Sequence, residues 1–202
     1  MAERAHPEDR GFQDRWFGLK KSRYKQKLYE RYGYCNLYIK GKTVLDIPCG
    51  TGWGTSLLKG ASRITGIDIS EEAITYAREH YERSDRRYVT GAMESIPLQE
   101  NDVEVLICLE GFEHVTQTVG KLFIEEAKRV LIDGGVLIMT CPVLNERGET
   151  TGNPYHLCEY DERELVVILN DNFRIQNLER IQGPDGPEYR AVLANRKKDR
   201  TE

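Results

Sequence analysis

An acidic residue followed by closely spaced glycines is the first feature of this 202-residue chain with an obvious chemical use. Residues 44–54 run Val-Leu-Asp-Ile-Pro-Cys-Gly-Thr-Gly-Trp-Gly, so an apolar segment ends at Asp46 and a glycine turn follows. Glycine lets a ligand lie against the backbone, and the N–H groups at a helix start favour electron-rich atoms. The spacing is G-x-G-x-G, not the G-x-G-x-x-G of dinucleotide sites. Asp68, which ends the next apolar run, could accept hydrogen bonds from both hydroxyls of a ribose.

Carboxylates and imidazoles are concentrated in two later segments. Glu110, Glu113 and His114 form an E-x-x-E-H pattern, and His156 comes later in the chain. An imidazole has a suitable pKa to take the proton of an alcohol or phenol, so His114 or His156 could act as a general base. The two carboxylates and two imidazoles could instead bind one divalent ion, which would orient and acidify a hydroxyl. In a third interpretation Glu113 and His114 cap the next segment and His156 bonds to backbone.

The elements that would position these groups follow an α/β pattern from residue 41 onward. Apolar runs, as expected of strands buried on both faces, predict strands at residues 43–47, 63–69, 87–89, 103–109 and 135–141. The windows between them predict helices at residues 52–58, 70–82, 116–131 and 161–169, with Ser70 as an N-cap and Gly134-Gly135 ending the third helix. Residues 173–181 and 189–194 are predicted to form a closing strand pair.

The predicted fold is therefore a doubly wound, Rossmann-like α/β sheet with helices on both faces. It is mostly parallel, with a C-terminal antiparallel strand. Such sheets bind ligands at the carboxyl ends of their strands, which is where the glycine turn and both acid and histidine segments fall.

The segment before the sheet is strongly basic. Residues 15–40 carry a net charge of +7, which leaves −11 for the rest of the chain. Apolar and aromatic residues recur there at helical intervals, so residues 16–39 are predicted to form one or two helices with a basic outer face. We expect an N-terminal helical extension at 1–40, a domain at 41–195 and a disordered tail at 196–202. The tyrosines that could close over the site as a lid are Tyr24, Tyr29 and Tyr32.

With the glycine turn, Asp68 and the element order taken together, residues 41–195 resemble the class I S-adenosylmethionine-dependent methyltransferases. The resemblance implies that the turn holds the methionine part and ribose of the cofactor, and that Asp68 binds the ribose hydroxyls with Ile69 against the adenine. The remaining implied cofactor residues are Asp46, Gly50, Thr51, Gly52, Trp53, Ala92, Met93, Leu109 and Glu110. Ala92 departs from the family pattern, which often has an aspartate at that position.

The E-x-x-E-H pattern is similar to that of small-molecule methyltransferases of the quinone-biosynthesis O-methyltransferase type. The resemblance implies methyl transfer from S-adenosylmethionine to a small-molecule hydroxyl, with S-adenosylhomocysteine as product and His114, His156 and Glu113 as catalytic residues. Trp53, Phe112 and Tyr155 could form a cage around the methyl group. The alternatives are a metal-dependent RNA 2′-O-methyltransferase, an N-methyltransferase, or a catalytically silent cofactor-binding partner protein. No metal is assigned, although a divalent ion is the second interpretation of the acid and histidine segments.

Composition narrows the expected partners. Lys plus Arg number 29 against 33 Asp plus Glu, and the net charge of −4 disfavours a nucleic-acid partner. The five cysteines show no C-x-x-C pair, which indicates reduced thiols. Without an apolar leader or a membrane-length apolar run, we expect no membrane association and a cytoplasmic location. The basic segment is compatible with an anionic acceptor, and the oligomeric state stays open.

Overall fold

The computed structural model describes residues 23–144, 151–182 and 186–196, with side chains from residue 26 onward. The helices in these ranges are α1 Arg23–Cys35, α2 Glu71–Tyr81, α3 Gln117–Val130 and α4 Glu162–Asn172. The strands are β1 Thr43–Asp46, β2 Arg63–Asp68, β3 Arg86–Thr90, β4 Val103–Cys108, β5 Leu131–Leu144, β6 Tyr160–Asp161, β7 Phe173–Gln182 and β8 Pro187–Asn195. Two short 3-10 turns lie at Thr55–Leu57 and Phe112–His114.

The strands form one sheet in the order β3-β2-β1-β4-β5-β8-β7, with β6 beside the end of β5. β1 to β5 pair in parallel, and β8 is antiparallel to both of its neighbours, β5 and β7. The strand order reverses between β1 and β4. This point in an open sheet creates a crevice at the carboxyl ends of the strands. The predicted doubly wound sheet with an antiparallel C-terminal strand is confirmed.

Alternate residues of the strands pack against helices on opposite faces of the sheet. On β1, Val44 belongs to the core cluster that includes Leu28 of α1, and Leu45 belongs to the cluster that includes Phe123 of α3 and Leu165 of α4. Because successive side chains of a strand point to opposite faces, the two clusters are two separate layers of core. The central strands β1, β2 and β4 are largely buried because both of their faces are covered.

The start of α2 agrees with its predicted N-cap. The Ser70 hydroxyl accepts a hydrogen bond from the Ala73 amide at 3.3 Å, and Glu71 and Glu72 occupy the first turn. These acids face the positive end of the helix dipole, which stabilises the helix start.

The predicted helix at 52–58 and the predicted role of Gly134-Gly135 as a helix end are wrong, whereas the bounds of the third helix agree with the prediction to within one residue. Residues 52–58 form only the 3-10 turn Thr55–Leu57, because Gly52 takes a positive φ of 78° that a helix cannot contain. The third helix ends at Val130, before Gly134, and β5 begins at once. Gly134 has φ 71° and lies inside β5 where its register with β4 shifts, so it marks an irregularity in the strand and not a helix end.

The N-terminal helix ends earlier and is less exposed than its sequence predicts. Residues 16–22 lie outside the described part of the chain, and α1 ends at Cys35 instead of residue 39. The helix packs on the sheet through Leu28 and Tyr32, and Arg31 is buried as well, at 2% exposure. The expectation of a purely basic outer face is therefore wrong for Arg31.

The remaining expectations concern the cysteines, membrane-spanning helices and the two ends of the chain. The five cysteines are free thiols, and four of them are buried. No helix in the described ranges is long and apolar enough to cross a membrane. The predicted extension up to residue 22 and the tail from residue 197 lie outside the described residues.

Candidate cofactor-binding and acceptor site

A cleft of about 400 Å³ opens at the carboxyl ends of β1, β2 and β4. Its walls come from six stretches of chain: α1, the glycine turn, the end of β2, the segment after β3, the segment after β4, and residues 154–157. Cofactor clefts in open α/β sheets lie at this position. Among the predicted cofactor residues, those on its wall are Gly50, Thr51, Trp53, Asp68, Ile69, Met93, Leu109 and Glu110.

Asp68 stands at the centre of one wall. Its Oδ2 accepts the Gly50 amide at 2.9 Å, and its Oδ1 accepts the Ser70 amide at 2.9 Å. These bonds fix the carboxylate between the glycine turn and the start of α2. A carboxylate has about four acceptor sites, so a group held in this way can also accept hydrogen bonds from ligand hydroxyls. Ile69 follows on the same wall with 68% of its surface exposed, so it offers an apolar face to a flat ring.

Asp46 lies beneath the glycine turn and is not part of the cleft wall. Its buried Oδ2 accepts the hydroxyls of Thr55 at 2.6 Å and Tyr32 at 3.1 Å. Burial raises the pKa of this carboxyl to about 7, although both hydroxyl bonds act in the opposite direction. The geometry gives Asp46 a supporting position, tying the turn to α1.

Gly52, also predicted to contact the cofactor, is absent from the wall as well. A Cβ at this residue would lie 2.8 Å from both Ala77 and the Tyr88 ring. The Tyr88 hydroxyl donates to the Gly52 carbonyl at 3.3 Å. Gly52 therefore lets the turn pack on α2 and β3 with its backbone in the left-handed region.

The segment after β3 holds two predicted cofactor residues, Ala92 and Met93, and only Met93 lies on the cleft wall. Met93 and Glu94 line the cleft, and Met93 is buried at its side chain. Ala92 is not on the wall; it forms a small antiparallel bridge with Ser95.

Helix α1 forms part of the cleft wall, whereas the sequence predicted only that its tyrosines could close over the site. Leu28 and Tyr32 line the cleft. The Tyr32 ring lies so close to Gly54 that a Cβ there would be 2.2 Å away. Tyr29 contacts Trp53 edge-on, with 5.2 Å between ring centres. The side chain of Tyr24 lies outside the described part.

The acid and histidine segments meet in space. One ligand atom each of Glu113, His114 and His156 lie within 4.8 Å of one another. His114 lines the cleft, and its Nδ1 is 3.0 Å from the Tyr155 carbonyl oxygen. Glu113 and His156 lie outside the wall set. Burial, followed by the nearby Glu110 carboxylate, raises the pKa of Glu113 well above its usual value.

His156 is held by its own loop. Its Nδ1 lies 2.7 Å from Oε1 of Glu159 and 2.9 Å from the Thr151 hydroxyl. Its Nε2 is 3.1 Å from the side-chain nitrogen of Asn153. Backbone bonds join this loop to the E-x-x-E-H segment, because the Glu113 carbonyl accepts from the amides of Leu157 at 2.9 Å and Cys158 at 3.2 Å.

The proposed aromatic cage is only partly placed at the cleft. Trp53 and Tyr155 line it. Phe112 is 1% exposed and stacks on Tyr160 with 5.2 Å between ring centres, so it belongs to the core.

An unexpected ion-pair network holds Glu110. Arg31 Nη2 contacts Glu110 Oε1 at 3.0 Å, and the same guanidinium pairs with the buried Glu188 of β8. Glu110 has a positive φ of 52°, which is unfavourable for a residue with a Cβ, and its amide donates to Thr140 at 3.2 Å. The sequence patterns do not single out Arg31 or Glu188 as site residues. Arg31 falls at helical spacing between Leu28 and Cys35 on the buried side of α1, and this was the available signal.

Comparison with known proteins places these features in a family context. A family model described as a methyltransferase domain matches residues 45–139. A probable S-adenosylmethionine-dependent methyltransferase of Mycolicibacterium smegmatis is 32% identical over 133 residues, which are 64% of this chain and 50% of that protein. A ubiquinone biosynthesis O-methyltransferase of Hydrogenovibrio crunogenus is 31% identical over 101 residues, 48% of this chain and 41% of its own length. The chain thus spans about half the length, or less, of these relatives.

Among solved structures, the N-methyltransferase NodS from Bradyrhizobium japonicum superposes with a TM-score of 0.72. The superposition covers 89% of this chain and all of that one, at 18% identity. This likeness shows a shared fold, the Rossmann-like fold of methyltransferases.

Proposed function

We propose that this protein transfers a methyl group from S-adenosylmethionine to a hydroxyl of a small molecule, releasing S-adenosylhomocysteine. The observation that carries the proposal is the cleft itself. Asp68, fixed by the backbone of the glycine turn, lies on its wall, and so does His114. One cavity therefore joins a group suited to a ribose diol with a group suited to a hydroxyl proton.

In this proposal, different residues of the wall contact the ribose, the adenine and the methionine part of the cofactor. Asp68 accepts the ribose hydroxyls, while Ile69 and Met93 provide apolar surface for the adenine. Thr51 and Gly50 offer the backbone of the turn to the rest of the cofactor, and Trp53, Leu109 and Glu110 border the methionine part. Asp46 and Gly52 act through the turn that they hold in place, and Ala92 through the small bridge that presents Met93.

Methyl transfer then requires positioning and the loss of one proton. The bound sulfonium supplies an activated methyl group, so the chain has to align the acceptor oxygen with it and exclude water. As the oxygen gains the methyl group, its own proton has to leave. We place His114 beside this oxygen, where it promotes that loss. His156 and Glu113 lie behind His114 and support it.

A hydroxyl acceptor is supported by two features. An imidazole helps an oxygen acceptor, which has to lose its proton for the ether or ester to form. The Hydrogenovibrio crunogenus relative carries O-methyltransferase in its name, and the match to it covers 48% of this chain. A small acceptor and a cytoplasmic location belong to the same proposal.

Calorimetry with S-adenosylhomocysteine tests the first step. We expect binding to the unaltered chain, and Asp68→Ala should weaken it roughly tenfold to a hundredfold, since each hydrogen bond to a charged group contributes about 1.5–3 kcal/mol. The matched control is Asp171→Ala, which removes an exposed carboxylate at the end of α4. No binding to the unaltered chain would contradict the proposal.

The second step is tested with methyl-labelled S-adenosylmethionine and a panel of phenols, hydroxy acids and amines. The proposal predicts label in an O-methyl product. Label found only in amine products would keep the cofactor assignment and reject the hydroxyl acceptor. Binding without turnover on any member would favour the silent partner protein.

A further inference from the structure

The Glu113 carboxylate is buried, and it accepts no hydrogen bond from the residues that the structure describes. The residue is 1% exposed, and neither of its oxygens has a hydrogen-bond partner within the part of the chain that the structure describes. A buried polar group in this state costs free energy, and a carboxylate costs more than a neutral group. Native structures usually compensate such a group with a cation, a donor or a bound ligand.

The imidazoles of His114 and His156 lie next to this carboxylate, and the Nδ1 atom of each ring contacts a hydrogen-bond acceptor. The Tyr155 carbonyl can only accept, so the Nδ1 of His114 must carry the hydrogen in their 3.0 Å contact. Glu159 orients the Nδ1 of His156 in the same way at 2.7 Å. The lone pair of each ring then lies on Nε2. Histidines that bind metals almost always donate their other N–H to a carbonyl or a carboxylate in this manner.

We propose that Glu113, His114 and His156 bind one divalent transition-metal ion of the zinc type. The three ligand atoms already lie within 4.8 Å of one another, and the two ring centres are 5.1 Å apart. A tetrahedral ion with bonds of about 2.1 Å needs ligand atoms about 3.4 Å apart, so binding would draw them together by roughly an ångström. It would also displace the Asn153 amide from the Nε2 of His156.

The donor set selects the class of metal. Two imidazoles and one carboxylate suit zinc, iron, cobalt or manganese, whereas magnesium and calcium prefer oxygen ligands alone. Glu110, a candidate ligand by its sequence pattern, lies outside this set because it faces Arg31 and Thr140. Three protein ligands leave one coordination position open, as catalytic zinc sites do. His114 borders the cleft, so that position would be reached from it.

The role of the ion in turnover rests on the proposed function. An acceptor hydroxyl in the open position would be bound through its oxygen and lose its proton more readily, because a bound cation lowers the pKa of the hydroxyl. His114 would then promote proton loss as a ligand of the ion. Metal binding itself depends on neither the cofactor nor the acceptor.

The test is the metal content of the full chain. Protein treated with a chelator and then dialysed against excess zinc or cobalt should retain one ion per chain by elemental analysis, and cobalt should give the visible absorption of a four-coordinate site. Glu113→Gln and His156→Ala should each weaken binding by at least about a hundredfold, since even the loss of an orienting partner costs about 10–100-fold. Glu159→Gln should fall within that lower range.

Controls separate this inference from the proposed function. His80→Ala, on the exposed side of α2 where its Nδ1 contacts the Tyr76 carbonyl, should leave the stoichiometry unchanged. Circular dichroism establishes that each variant is folded. Retention of no ion, or equal retention by Glu113→Gln and the unaltered chain, overturns the inference even if S-adenosylhomocysteine binds. Loss of S-adenosylhomocysteine binding with metal retained would overturn only the proposed function.

Discussion

The guanidinium of Arg31 contacts the carboxylate of Glu110 at 3.0 Å, which joins α1 to the end of β4 at the cleft. The same guanidinium pairs with Glu188 of β8. Arg31 and Glu188 are almost completely buried, and Glu110 keeps a positive φ beside them. One cation thus fixes a strained wall residue and anchors the helix that also contributes to the wall.

Replacing this cation should destabilise the protein strongly. Arg31→Met leaves two carboxylates without their common cation, and we expect a loss of about 3–5 kcal/mol in the free energy of unfolding, as for other broken buried pairs. Urea denaturation measures the loss. The double variant Arg31→Met/Glu188→Gln should recover part of it, because one of the two buried charges is then gone. A loss below about 1 kcal/mol, the range of surface pairs, would show that the network contributes little.

Two glycines near α1 should respond to alanine with opposite signs. Gly54→Ala puts a Cβ 2.2 Å from the Tyr32 ring, and overpacking of this kind costs about 1–3 kcal/mol. Gly33 lies within α1 with nothing near its Cβ position, so Gly33→Ala should stabilise by about 0.5–1 kcal/mol. Thermal and urea unfolding of both variants gives the comparison. Equal effects would mean that Tyr32 moves aside easily.

The buried carboxyl of Asp46 should make stability depend on pH. Its pKa is about 7 in the folded chain and near the ordinary value of 3.8 when unfolded, so the folded state binds the extra proton between these values. Stability contributed by this group is therefore complete below about pH 4 and falls by about 1.4 kcal/mol per pH unit as pH rises toward 7.

Asp46→Asn isolates that contribution. The amide oxygen can still accept from Thr55 and Tyr32, but the side chain no longer titrates. Urea denaturation of both proteins from pH 4 to pH 8 should show the slope of the unaltered chain reduced in the variant. Parallel curves would contradict the shifted pKa.

His114 should affect turnover more than cofactor binding. His114→Ala is expected to lower the rate of methyl transfer by about 10²–10⁴-fold, the usual contribution of a group that promotes proton transfer. The affinity for S-adenosylhomocysteine should change little, because the cofactor residues stay in place. His156→Ala should lower the rate as well. Unchanged rates in both variants would remove the imidazoles from the mechanism.

Much of the sheet could be predicted from the sequence because strands buried on both faces leave continuous apolar runs. β4 is an example, since five of its six residues are buried. The ends of elements were less predictable where glycine was ambiguous. A glycine that follows a helical pattern often ends the helix. Gly134 instead lies in β5, at the shift of register with β4.

The sequence predicted which segments meet at the cleft, but not how deeply each of their residues lies. The order of segments brought Asp68 and His114 to one edge of the sheet, as expected. Sequence alone could not place Asp46 beneath the turn, since a carboxylate at a strand end can point toward the ligand or toward the core. The pattern of residues 16–39 predicts an exposed basic face because basic residues usually are solvated, and only the partners Glu110 and Glu188 explain why Arg31 is buried.

Helix α1 is part of the cleft through Leu28 and Tyr32, although it precedes the sheet in sequence. A ligand that fills the cleft therefore stabilises this helix against local opening. At a ligand concentration of about 100 times Kd, the bound state gains about 2.7 kcal/mol, and backbone amides of α1 that open with the cleft should exchange with deuterium roughly a hundredfold more slowly. Amide exchange in α1 would thus detect occupancy of the cleft before any acceptor is known.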